Sequence, residues 1–117
     1  MRVYIAVTAN QLEQLLSSHL KVDDYLAPAQ FEFAADVDEE QQEHLISLLA
    51  AEDSLELNGG RYGLVLAADF SDTQLAQEEP ILEFSQIAAA LYTEDGEELS
   101  CYAPEEINFQ IGSWVQR

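Results

Sequence analysis

The sequence predicts an α+β fold: a single two-layer domain over residues 1–117, with two main helices on a mixed sheet of four to five strands and a short C-terminal helix. Three observations carry this expectation. An alternating strand pattern over residues 2–7 runs straight into a capped leucine helix. A second helix fits residues 38–57, with acids at its start and Asn58-Gly59-Gly60 as its stop. An unbroken apolar run at 62–70 then precedes a hairpin signal at Asp95-Gly96. A chain of 117 residues with 48% hydrophobic and 23% charged residues is an ordinary globular composition. Such a chain buries about two-thirds of its unfolded surface, which supports a core without staples.

In the first strand Val3, Ile5 and Val7 share one face, and Tyr4 and Ala6 the other. Thr8 then fits a helix N-cap, with Gln11 three residues on completing a capping box. Val7 and Leu12 suit the matching hydrophobic staple. Leu12, Leu15, Leu16 and Leu20 recur at helical spacing. Residues 21–37 lack that period. Pro28 interrupts them, and Phe31 and Phe33 alternate as in a short strand or extended segment with both rings turned inward.

Asp36 or Asp38 caps the second helix, and Glu39 and Glu40 complement its dipole. Leu45, Leu48, Leu49 and Leu55 are its expected buried face, with a hairpin through Leu55 and Leu57 as the competing reading of its last turn. Residues 62–70, YGLVLAADF, read as a central strand covered on both faces, with Val65 and Leu66 in the core. Polar residues 71–79 lead to Pro80, a short segment at 81–84 and a strand at 87–93. Residues 99–102 return antiparallel after the Asp95-Gly96 turn. Pro104 suits a first helical turn, and Ile107, Ile111, Trp114 and Val115 fit a helical stripe, although Ile107, Phe109 and Ile111 also alternate as in a strand.

Charge limits the function. Asp and Glu total 23 against 4 Lys and Arg, a formal net charge of −19. After Arg2 the only bases are Lys21, Arg61 and Arg117. Such a surface repels nucleic-acid phosphates and anionic lipid headgroups. It can steer a basic protein partner, or simply keep the chain soluble. One cysteine excludes an internal disulfide framework and a cysteine-built zinc site. No apolar run approaches the roughly 18 residues of a membrane span, and the opening stretch is too short for a signal peptide. A cytoplasmic location is expected.

The opening Arg2-Val3-Tyr4-Ile5, running through Thr8 into a leucine helix, resembles an uncharacterised family of small acidic actinobacterial proteins, a domain of unknown function. The closing Cys101-Tyr102-Ala103-Pro104-Glu105-Glu106-Ile107 is similar to that family's last segment. Asp38-Glu39-Glu40 and Leu66-Ala67-Ala68-Asp69 fall between them in the same order. Ala6 stands where the family often has proline, and Cys101 where it often has an aromatic. The resemblance implies helices at 38–57 and 104–111, and brings no activity, cofactor or catalytic residue.

The motifs of chemistry are sparse. There is no G-x-S-x-G elbow, glycine-rich phosphate loop or H-E-x-x-H. Cys101, in mid-strand, reads as a core cysteine. Asp36-Val37-Asp38-Glu39-Glu40 begins like a calcium loop, but Gln41 and Ser47 occupy the positions that need glycine and glutamate. Glu40 and His44, four apart on one helical face, are the weak metal candidates; a site would need His19 to arrive from the other helix. A solvated helical pair is the simpler account. The 94–98 turn could hold calcium loosely, or be a charged hairpin tip. Trp114 either closes the core or anchors a partner. No catalytic residue and no cofactor are assigned. The sequence is therefore read as a non-enzymatic acidic protein acting by binding a protein partner, a basic one where the acids serve recognition. The alternative is a small enzyme, or a metal- or small-molecule-binding protein, with a carboxylate-lined pocket.

Overall fold

The computed structural model describes residues 1–115, the side chain of Val115 excepted. The chain runs β1 (Arg2–Val7), α1 (Ala9–Ser17), β2 (Leu20–Lys21), α2 (Glu39–Leu57), β3 (Gly63–Asp69), α3 (Asp72–Leu75), β4 (Ile81–Leu82), β5 (Ile87–Thr93), β6 (Ser100–Tyr102) and α4 (Pro104–Val115). Four strands form one sheet in the order β1-β3-β5-β6, and β2 pairs with β4 beside it. The α+β class holds, with two main helices on a four-stranded sheet and a short C-terminal helix.

Every pairing in the sheet is antiparallel, where a mixed sheet was expected. The reason lies in the path between β1 and β3, which contains two helices instead of one. α2 begins beside Arg2, at the start of β1, and ends against the carbonyl of Val7, at its finish. The chain therefore enters β3 where β1 stops and runs back along it, pairing Val7 with Leu64 and Arg2 with Asp69.

Local chemistry sets the helix ends. Thr8 Oγ1 accepts the Gln11 amide at 3.1 Å while Gln11 Oε1 accepts the Thr8 amide at 2.8 Å. Asp38, not Asp36, caps α2 through the same reciprocal pair with Gln41, at 2.8 and 3.1 Å. Gly59 and Gly60 both take positive φ, and the Gly60 amide closes the helix on the Leu55 carbonyl at 2.7 Å. α2 thus continues through Leu57, and no hairpin forms there.

β3 is interior and buried along its length except at Asp69. Its side chains alternate between two cores. Leu64, Leu66 and Ala68 pack with Leu12 and Leu15 of α1 and Ile107 and Trp114 of α4. Val65 and Ala67 face Ile46, Ala50 and Ala51 of α2. α2 therefore covers one face of the sheet while α1 and α4 share the other, which extends the expected two layers to three. Trp114 belongs to the core, stacked on Tyr92 at 5.6 Å and edge-on to Tyr102 at 5.4 Å. The Val115 side chain of the expected stripe lies outside the described residues.

Four expectations are corrected. The inward face of α2 is Ile46, Ser47, Ala50, Ala51 and Ser54, while Leu45 and Leu49 are exposed and Leu48 and Leu55 half-buried. Small residues win because the helix lies very close to the sheet. A Cβ on Gly63 would sit 2.9 Å from the Ala51 carbonyl oxygen, so the α2 backbone itself lies against β3 there and leaves room only for a small side chain at Ala51. Leu16 of α1 is likewise only half-buried at the margin of its core. Residues 30–34 form no strand; among the described residues β1's outer edge is met only at Tyr4, by Leu26. Phe33 packs partly on the α2 core and Phe31 stays exposed. Cys101 is exposed as well. It lies on the edge strand β6 opposite Leu91, on the side of the sheet where α2 packs over β1 and β3 instead.

Candidate functional site

An acidic cleft opens between β1, the segment 23–26 and the second half of α2, with a volume of about 560 Å³. Tyr4 and Ala6 form its floor from the α2 side of β1, with Gln11 at one end. The 23–26 segment is held against β1 by paired backbone hydrogen bonds between Tyr4 and Leu26, at 2.8 and 2.9 Å. That pairing sets Asp23 and Asp24 on the rim. Opposite them, Asp53 and Glu56 project from one flank of α2 at helical i, i+3 spacing, and the small Ala50 one turn earlier leaves the space open. Four carboxylates thus line the cleft and none of its lining residues is Lys or Arg.

The electrostatics follow from that crowding. The Asp53 carboxyl is pushed above the usual carboxylate range, first by partial burial and then by the negative fields of Asp24, Glu56 and Glu52. Tyr4's phenol is raised by burial and by the nearby Glu43. On the opposite end of β1, Arg2 Nε donates to Asp69 at 2.8 Å, and this hydrogen bond holds the Asp69 carboxyl low. The cleft receives no comparable relief from its own residues. A cation entering it would restore the balance.

The sequence candidates fall elsewhere. Glu40 and His44 line a shallow groove on α2 together with Asp36, Val37, Gln41 and Leu45. His19 lies beyond α1, its Nδ1 3.1 Å from Ser18 Oγ, and Cys101 is on β6. Among the described residues no three His, Cys, Asp or Glu side chains converge as a metal site. In the 94–98 turn, Asp95 Oδ1 already accepts the amides of Glu97 and Glu98 at 2.9 and 3.1 Å. Those hydrogen bonds hold its carboxyl low and close the hairpin tip.

The cleft was hidden in the sequence because its acids come from residues 23–24 and from 53 and 56, which only folding brings together. The one local signal was Ala50, Asp53 and Glu56 on a shared helical flank. No helix among the described residues is long and apolar enough to cross a membrane. No protein-family model matches the chain, and no curated protein or solved structure does so either.

Proposed function

We propose that the chain is a non-enzymatic cytoplasmic binding protein that receives a basic segment of a partner protein in the cleft of Asp23, Asp24, Asp53 and Glu56. The observation that carries this is the convergence of four carboxylates on one cleft whose lining residues include no Lys or Arg; the Asp53 carboxyl is raised there, first by burial and then by its acidic neighbours. A Lys or Arg side chain placed there gains attraction from several carboxylates at once. The net charge of −19 adds long-range steering toward such a partner and against nucleic acid. Titration of the full chain with a Lys/Arg-rich peptide at low and high salt tests it by calorimetry. Binding should weaken as salt rises, and Asp53→Asn combined with Glu56→Gln should reduce affinity by about tenfold. Unchanged affinity in that double variant would remove the cleft from the function.

The cleft's volume also falls in the range of about 300–1,000 Å³ typical of small-molecule pockets. This supports a second reading, a small organic cation as ligand. A short diamine that competes with the peptide and itself binds more tightly would favour it.

A further inference from the structure

α2 is apolar on two sides, and only one of them is used by the fold. Its inward side packs Ile46, Ala50 and Ala51 on the sheet. Turned away from the sheet, Leu45 is 45% and Leu49 41% exposed, with the half-buried Leu48 between them. Scattered exposed leucines are ordinary. Three at i, i+3 and i+4 on one helix form a continuous ridge instead, of the kind that meets a second helix.

Charge decides what can lie on that ridge. α2 carries Glu39, Glu40, Glu43, Glu52, Asp53 and Glu56 and no Lys or Arg. A second copy seated with its α2 against this one would oppose six acids with six acids and offer no Lys or Arg to either. A basic amphipathic helix fits on both counts, apolar toward the leucines and cationic toward their flanks. The ridge also leads into the cleft: Asp53 is one turn beyond Leu49, and Glu56 is two turns beyond it on the same side of α2.

We infer that the partner segment is a basic amphipathic helix, its leucine-like face seated on Leu45, Leu48 and Leu49 and its Lys or Arg side chains reaching the cleft acids. This rests on the cleft function proposed above and adds the secondary structure and apolar character of the partner. Leu45 and Leu49 select for the helix's periodic apolar face, while Asp53 and Glu56 select for its charge.

The test uses two synthetic peptides of identical Leu/Lys composition, one with leucines at i, i+3, i+4 and i+7 and one scrambled. Both are titrated into the full chain by calorimetry, with helicity followed by circular dichroism. The periodic peptide should bind about tenfold more tightly and gain helix on binding. Leu45→Ser with Leu49→Ser, both at exposed positions, should erase that preference and keep the salt-sensitive binding of either peptide. Asp53→Asn with Glu56→Gln should weaken both peptides alike. Equal affinity for the two peptides, or a preference that survives the leucine changes, overturns the helix and leaves the cleft standing. Failure of both peptides to bind at low salt overturns the cleft as well. Dimerisation of the unaltered chain that is lost in the leucine variant would assign the ridge to a second copy and overturn the inference.

Discussion

Ser54 Oγ accepts the backbone N–H of Leu64 at 2.6 Å, which ties the last turns of α2 to the first residues of β3. The same hydroxyl donates to the Val7 carbonyl at 3.0 Å, and Asn58 Nδ2 donates to it at 3.1 Å. One buried side chain therefore joins α2 to the end of β1 and the start of β3, with its donor and both acceptor positions used. Ser54→Ala should destabilise the protein by about 1–3 kcal/mol, because the buried Leu64 amide loses its acceptor, while the Val7 carbonyl keeps Asn58 Nδ2 at 3.2 Å. Urea denaturation measures this. A change near zero would show that Asn58 alone holds the junction.

The orientation of α2 separates its residues sharply. Ile46→Ala should cost about 2–5 kcal/mol, as for a fully buried aliphatic residue. Leu45→Ala and Leu49→Ala should each stay within about 0.5 kcal/mol, as for surface sites. If the leucine variants lose more than the isoleucine variant, the helix is rotated from the position described.

Trp114 bears on the other core. It stacks on Tyr92, which in turn stacks on Tyr62 at 6.1 Å, and the Tyr62 hydroxyl accepts the Ala9 amide at the start of α1. Trp114→Ala should cost about 3–5 kcal/mol and flatten the near-ultraviolet circular dichroism from the aromatic row. A near-wild-type melting temperature would place α4 off the core.

The pH response has two signs. Asp53's folded pKa is raised, so acidification toward the carboxylate range protonates the folded state first and stabilises it. Asp69 and Asp95 have lowered pKa values, so their contributions are present above the unfolded pKa and are lost as pH falls through the folded one. The melting temperature should therefore rise on mild acidification and fall at lower pH. Asp53→Asn should raise the melting temperature at neutral pH, by an amount that shrinks as the wild-type Asp53 becomes protonated. An advantage that stays constant with pH would show that Asp53 carries no unfavourable charge.

Monovalent salt should stabilise the folded chain by about 1–2 kcal/mol, because it screens repulsion at a net charge of −19. Thermal melts from low to high salt read this directly. Indifference to salt would mean that bound cations already compensate the acids.

The sequence by itself determined the features that depend on chemistry within a few residues. The Thr8 cap, the Gly59-Gly60 stop, the β5–β6 hairpin and the Pro104 helix start each need only local hydrogen bonds or a permitted φ, whereas the sequence left the α2 cap open between Asp36 and Asp38. The unalternating run at 62–70 also announced an interior strand, since β3 is covered on both faces. Tertiary structure alone decided which side of α2 turns inward. Leucine and alanine stripes both recur at helical spacing, and the winner depends on how near the helix lies to Gly63, a distance no local pattern encodes. The same holds for Phe31 and Cys101, whose exposure follows from sheet edges left unpaired or uncovered. The acidic cleft is the extreme case. Its carboxylates are about 30 residues apart along the chain and become neighbours only when the Tyr4–Leu26 pairing and the packing of α2 fold them onto the same side of β1.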